Sequence, residues 1–374
     1  MESTYAVVPK QWSLDQLLTG IGPSDWWRVL RENRFRIDLR YLPRTAWVGG
    51  ISVLSGALSW LESARYGAEV AAQAIDPAPI FVLGHWRSGT THLHNLLGRL
   101  PGHTYSTVFQ AVLPGAFVTA DAVRRWTEPL LDDTRSYDAV AHGWDAAAED
   151  EIALAKLTGL SPYLAFMFPE RAEAYARFVD FEEATPAERT RFGDALEGFV
   201  RKLMWASGGE RVVVKSCAHS ARIPLILERF PNARFVVIHR HPYEVFASTL
   251  HMRSHTDWEN FFHLPDNVEG TRREQTLELG ARIFERMAAD RALIPEGQLA
   301  EVRYDQLCGS EVAEVERMYD ELQLGDFEAA RPTLEAYVAG LKGYRTNRLS
   351  LDPAVKQLVA ERWRVAFEAF GYAP

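Results

Sequence analysis

Residues 81 to 97 read FVLGHWRSGTTHLHNLL. The stretch opens on apolar, strand-like residues, turns on Gly84 and Gly89, and runs on with helical spacing. Strand, glycine turn and helix in that order open a βαβ unit, and the chain repeats the order further on. β-rich runs stand at 79–84 (PIFVLG), 211–216 (RVVVKS), 234–240 (RFVVIHR) and 299–304 (LAEVRY). The middle two are near-continuous apolar runs, as expected of central parallel strands covered on both faces. Helices are expected at 90–100, near 219–230 and at 242–252. The fold class is therefore α/β: a doubly wound parallel sheet flanked by helices, with ligands at the C-terminal ends of the strands.

The first 75 residues read as a helical subdomain, and IDPAP at 75–79 marks the change of pattern. The α/β domain is accordingly placed at 76–374. Within it, 101–210 reads as a mostly helical insert with turns at LPGH, FPE and ASGGE. The segment 253–270, RSHTDWENFFHLPDNVEG, is polar and aromatic with little periodicity, and reads as a loop over the cleft, a candidate lid. The tail from 271 is largely amphipathic helix, interrupted by LKGYRTNRLSLDP.

At 374 residues, 47% hydrophobic and 24% charged, the chain has the composition of a soluble globular protein. A formal net charge of −9 leaves no basic excess for a nucleic-acid backbone, though it says nothing against one anion held in a cleft. Cys217 and Cys308 are the two cysteines, without metal-type spacing around either. The start, MESTYAVVPKQWS, has no charged region leading into an apolar core, so the expected location is the cytoplasm. One stretch qualifies this. Residues 25–44 carry six arginines against three acids, and 45–61 follow with 17 residues and no charge. A buried helix, a greasy substrate passage and a peripheral contact at the inner membrane face through 25–61 all fit that pattern, and 17 residues lie at the short limit for a true span, the least favoured reading.

Gly84 and Gly89 sit five apart, as in the phosphate loop G-x-x-x-x-G-K-[ST], which makes the sheet P-loop-type. Thr90 stands where that pattern has lysine. Backbone N–H groups and the hydroxyls of Ser88, Thr90 and Thr91 suit an anion, and the positive charge has moved to Arg87. An NTPase needs a carboxylate for Mg²⁺ at the end of a neighbouring strand. Here RFVVIHRHP ends in His239 and Arg240. Two anion sites and no metal carboxylate favour a nucleotide with separated phosphates, bound without a metal.

GHWRSGTTHLHNLL resembles the 5′-phosphosulfate loop of the sulfotransferases, in their RSGTT branch. VVVKSCAHSARIPLILERFPNARFVVIHRHPYEVFAST is similar to that family's 3′-phosphate region. With RYDQL at 303–307 the resemblance covers roughly 79–307, and the N-terminal region and the EDE segment look like a large bacterial subgroup. It implies 3′-phosphoadenosine 5′-phosphosulfate (PAPS) as sulfuryl donor and co-substrate. Ser88, Gly89, Thr90 and Thr91 match the 5′-phosphate loop, and Arg240 with Ser248 match the 3′-phosphate pair. Ser248 falls eight residues on, in the helix opened by Pro242. Tyr304 matches an adenine contact, Arg87 replaces the loop lysine, and Lys215 matches a lysine near the sulfuryl group. From LKGYR, Lys342 or Arg345 would add to the 3′-phosphate site. Cys217 stands where the family often has proline, and His85-Trp86 is an uncommon pair.

Sulfuryl transfer, like phosphoryl transfer, is an in-line displacement driven by positioning and charge stabilisation. Arg87 and Lys215 supply the field, so no metal is required, and an acceptor hydroxyl needs a general base. One source is the acidic cluster in GWDAAAEDEIALAKL, where Asp145 suits an N-cap and Glu149, Asp150 and Glu151 fall on successive helix faces. Related enzymes commonly use a glutamate, which favours Glu149, then Glu151. The other source is histidine: His94 one turn beyond Thr90, or His103 or His142, while His219 and His239 flank matched motifs.

The leading reading is a sulfotransferase acting on a hydroxyl of a small, lipophilic acceptor such as an isoprenoid, polyketide or phenol. The alternatives are a divergent P-loop kinase or NTPase, and a catalytically silent, membrane-associated nucleotide-binding protein.

Overall fold

The computed structural model describes residues 16–127, 143–341 and 349–374. Its sheet is built from β1 (Ile80–Leu83), β2 (His103–Tyr105), β3 (Arg211–Lys215), β4 (Arg234–His239) and β5 (Leu299–Arg303). All pairings are parallel, in the order β2-β3-β1-β4-β5. β1 lies at the middle, with Ile80 level with Val213 of β3 on one side and Arg234 of β4 on the other. The chain fills the β2–β3 side first and then crosses to β4 and β5. The strand order therefore reverses at β1, and the C-terminal ends of β1, β3 and β4 surround the switch point where such sheets take ligands.

The apolar runs of β1, β3 and β4 are buried almost throughout, whereas β5 alternates buried and half-buried residues as an edge strand does. β2 corrects the expectation for 101–210: the insert contributes a strand as well as helices. HTY is too short to show a period and none of it is fully buried, so its pattern carried no signal. Helix α3 follows β1; numbering the helices from the N-terminus, α1 is Pro23–Glu32, α2 is Leu42–Ala72 and α3 is Thr90–Gly98. Leu93, Leu96 and Leu97 of α3 share one face and pack with Ile80, Val82, Val213, Val236 and Ile238 of the sheet. Each leucine buried in this way contributes about 1.5–3 kcal/mol.

By contacts the chain divides otherwise than 1–75 and 76–374. One unit is Met1–Ala72, Thr107–Phe199 and Leu250–Gln275; the second is Gln73–Ser106, Val200–Thr249 and Thr276–Pro374 and contains the whole sheet. The physical reason lies in the insert, whose residues bond to the N-terminal helices. Arg28 of α1 donates to the Thr158 carbonyl, and the Thr119 N–H donates to Glu62 of α2 at 2.6 Å.

The segment 253–270 is also corrected. A single helix runs Pro242–Asn260, a second begins at Val268, and the stretch between them alone is irregular. Periodicity was hidden because the buried face is ionic. Arg253 and Asp257, an i,i+4 pair at 3.1 Å, are both buried, with Arg272 also 3.1 Å from Asp257 and Gln275 accepting from Arg253 at 2.8 Å.

Candidate active site

The loop between β1 and α3 is shaped by backbone that a side chain would obstruct. Arg87 has φ +67° and Gly89 φ +105°, left-handed positions of the kind from which anion-binding nests are built, while the Ser88 N–H between them donates to the His85 carbonyl at 3.2 Å. A Cβ on Gly89 would stand 2.3 Å from the ring of Tyr304, and one on Gly84 would stand 2.4 Å from the Ile238 carbonyl. Ser88 is buried, its hydroxyl 2.8 Å from the His85 carbonyl and 3.2 Å from that of Ile238. It therefore holds the loop to the end of β4. Thr90 opens α3, its hydroxyl 3.9 Å from the Cys217 sulfur, and Thr91 is half-buried.

A residue that sequence reasoning missed holds the other end of the loop. Ser220, buried in the turn after β3, accepts from the Gly84 N–H at 2.7 Å and lies 3.3 Å from the Gly84 carbonyl. No pattern singles it out, because a serine after a strand has many uses.

The cationic and hydroxyl residues expected around the nucleotide come together. Arg87 Nε donates to Ser248 Oγ at 3.0 Å, joining the loop to the helix opened by Pro242. Arg240, at the exit of β4, lies over the Tyr304 ring at 4.7 Å, and that ring abuts Gly89. Arg240 Nε also donates to Glu244 at 2.6 Å. This i,i+4 pair with a largely exposed carboxylate is weak, and a phosphate can replace it. Lys215 is buried at the end of β3. Arg87, Ser88, Gly89, Thr90, Thr91, Lys215, Arg240, Ser248 and Tyr304 thus all belong to the sheet-bearing unit.

Glu149 and Glu151 belong to the other unit. Their helix is Asp150–Thr158, with Glu149 at the N-cap position, so Asp145 does not cap it. Residues 143–149 instead form a turn and an isolated bridge from Ala147 to Thr107, and Asp145 pairs with Arg124. The Tyr163 hydroxyl donates to half-buried Glu149. Glu151 is fully buried and accepts from Ser161 at 2.7 Å.

The described histidines among those singled out in the sequence pack against aromatic rings or backbone. His94 faces the sheet, its Nε2 3.0 Å from the Val213 carbonyl, with its ring edge-on to Tyr105. His103 opens β2, the end of the sheet opposite the loop; burial pushes its ring pKa down to about 4. His219 is buried edge-on to Phe81, and burial with the Arg222 charge keeps it well below the usual imidazole range. His239 stacks on Phe370 at 4.4 Å and lies 2.9 Å from the Tyr372 hydroxyl. His85, in the loop itself, stacks on Phe284 at 5.1 Å, and burial lowers its pKa to about 4. His142, Lys342 and Arg345 lie outside the described residues.

Fold and site together define a P-loop-type α/β protein with arginine in place of the loop lysine and an arginine–serine pair beyond a neighbouring strand. Residues 79–328, more than half of the chain, match the sulfotransferase family, and the chain belongs to that family. Omega-hydroxy-beta-dihydromenaquinone-9 sulfotransferase Stf3 of Mycobacterium tuberculosis and of Mycobacterium bovis are each 30% identical over 369 residues, 97% of this chain and 92% of theirs. The fold is shared with sulfotransferase STF1 of Mycobacterium tuberculosis (TM-score 0.68, 19% identity, 95% of this chain and 94% of that one). It is shared too with STF9 of Mycobacterium avium (TM-score 0.66, 15% identity, 95% and 97%). The protein is a sulfotransferase.

Proposed function

We propose that the enzyme moves a sulfuryl group from PAPS to a hydroxyl of a small lipophilic acceptor by metal-free in-line displacement. The observation that supports this reading is the linked set Ser248–Arg87 and Gly89–Tyr304–Arg240, which brings two arginines, a hydroxyl and an aromatic ring to the loop. Arg87, Ser88, Thr90 and Thr91 would take the 5′-phosphosulfate, Arg240 and Ser248 the 3′-phosphate, and Tyr304 the adenine face. Lys342 and Arg345 are proposed to reinforce the 3′-phosphate. Arg87 and Lys215 would neutralise charge developing on the transferred and bridging oxygens. Glu149 is the proposed general base: it is half-buried, whereas Glu151 is sealed and hydrogen-bonded within its unit. His94 falls behind both because its ring is committed to the Val213 carbonyl.

The acceptor class rests on similarity along nearly the whole chain to enzymes named for an omega-hydroxylated menaquinone derivative. A lipophilic isoprenoid carrying a terminal hydroxyl is the proposed substrate, met in the cytoplasm or at the inner membrane face. The test is calorimetric titration with 3′,5′-adenosine bisphosphate beside 5′-AMP and ATP with Mg²⁺. Tight bisphosphate binding, lost in Arg240→Ala and indifferent to chelator, supports the reading. Mg²⁺-dependent ATP binding with no preference for the 3′-phosphate overturns it. Glu149→Gln should lower kcat by about 10²–10⁴-fold with the bisphosphate affinity unchanged; a binding protein without turnover has none to lose.

A further inference from the structure

Helix α2 is built inside out. Its buried residues are Arg44, Val48, Ser52, Ser55 and Glu62, aligned on one side and mostly polar. Each polar group is engaged with backbone, Ser52 with the Gly49 carbonyl of its own helix at 2.8 Å and the others with neighbouring segments. Arg44 donates to the Phe261 carbonyl and Ser55 to that of Gly20 at 2.8 Å, and Glu62 accepts from the Thr119 N–H. Ser59, on the same side, packs so closely on Gly115 that a Cβ there would lie 2.3 Å from its hydroxyl. The opposite face carries Leu42, Ala46, Gly50, Val53, Leu54, Ala57, Trp60 and Leu61, all exposed. Val53 is 65% exposed, Leu54 56% and Trp60 73%. An ordinary surface helix has the reverse polarity.

The segment before α2 continues the theme. Trp27 and Phe35 are exposed with their rings in tilted contact at 5.2 Å, Leu39 is 83% exposed, and Arg31, Arg34 and Arg40 are exposed among them. Aromatic and aliphatic side chains interleaved with arginines match the boundary between acyl chains and anionic headgroups. Among the described residues no helix is long and apolar enough to cross a membrane. A helix of this composition lies in the plane of the interface.

We propose that the outer face of α2, with Trp27, Phe35 and Leu39 and their arginines, docks the enzyme on the surface of an anionic lipid bilayer. The inference deepens the lipophilic-acceptor reading by placing the enzyme where such an acceptor resides, yet it stands on α2 and the segment before it.

The test is co-flotation of the full chain with phosphatidylcholine vesicles, with and without phosphatidylglycerol, beside size-exclusion light scattering and the bisphosphate titration. The wild type should float with the anionic vesicles. Val53→Gln with Trp60→Gln should weaken association by roughly 10–100-fold, and Arg31→Gln by about fivefold. Thermal unfolding and bisphosphate affinity should be unchanged, since these side chains face outward. Failure to float, or flotation indifferent to Val53→Gln/Trp60→Gln, overturns the proposal. A dimer of the wild type that Trp60→Gln dissociates, without flotation, assigns the face to a second copy and overturns it as well. Flotation without bisphosphate binding would leave the docking intact and sink the PAPS reading instead.

Discussion

Gly89 is the residue at which the loop meets the Tyr304 ring, the proposed adenine contact, over which Arg240 lies. Its φ of +105° is strained for any other residue, and a methyl there would be driven into the Tyr304 ring. Gly89→Ala should therefore cost about 1–3 kcal/mol of bisphosphate affinity, roughly 10–100-fold, by calorimetry. Pairing it with Tyr304→Ala should cost less than the two single losses added together if the ring is the obstruction. His85 makes a second residue-scale prediction. Its pKa is depressed from 6.5 to about 4 by burial, so the unfolded chain binds the proton more readily between those values. The stability tied to neutral His85 is present above pH 6.5 and lost as pH falls toward 4, by about 3 kcal/mol in all. Urea midpoints at pH 7.5 and pH 5 should show the drop, and His85→Phe should shrink it.

At the scale of elements, the buried Arg253–Asp257–Arg272 network joins two helices. Asp257→Ala leaves two arginines buried without their shared carboxylate and should destabilise by about 3–5 kcal/mol, read as a lower urea midpoint. In the core, Leu93→Ala should cost about 2–5 kcal/mol. These two sites also show what could be read in advance. The strand ends and the loop were legible because β1, β3 and β4 are buried on both faces, which forces long apolar runs, and because the glycine spacing answers to a backbone need. β2 was illegible at three polar residues. The supposed lid was misread because the helix Pro242–Asn260 buries Arg253 and Asp257 against Arg272 of the next helix, so this stretch has no apolar stripe to detect. Ser220, which holds the loop glycine, was illegible because its role depends on a strand 136 residues away in sequence.

For the whole molecule, the formal charge of −9 opposes approach to an anionic surface, while the arginines beside α2 favour it. Net-charge repulsion acts over distance and is screened as the Debye length falls from ~30 Å at 0.01 M to ~8 Å at 0.15 M salt; contacts made at the surface are screened less. Vesicle association should therefore hold or rise over that range, opposite to a simple polybasic binder. The reversed polarity of α2 also bears on how turnover must be counted. An enzyme seated on a lipid sheet meets its acceptor in two dimensions, so its rate follows the acceptor's mole fraction in the sheet. Diluting the acceptor with inert lipid, at a fixed amount of acceptor in the tube, slows such an enzyme even though the bulk concentration has not changed.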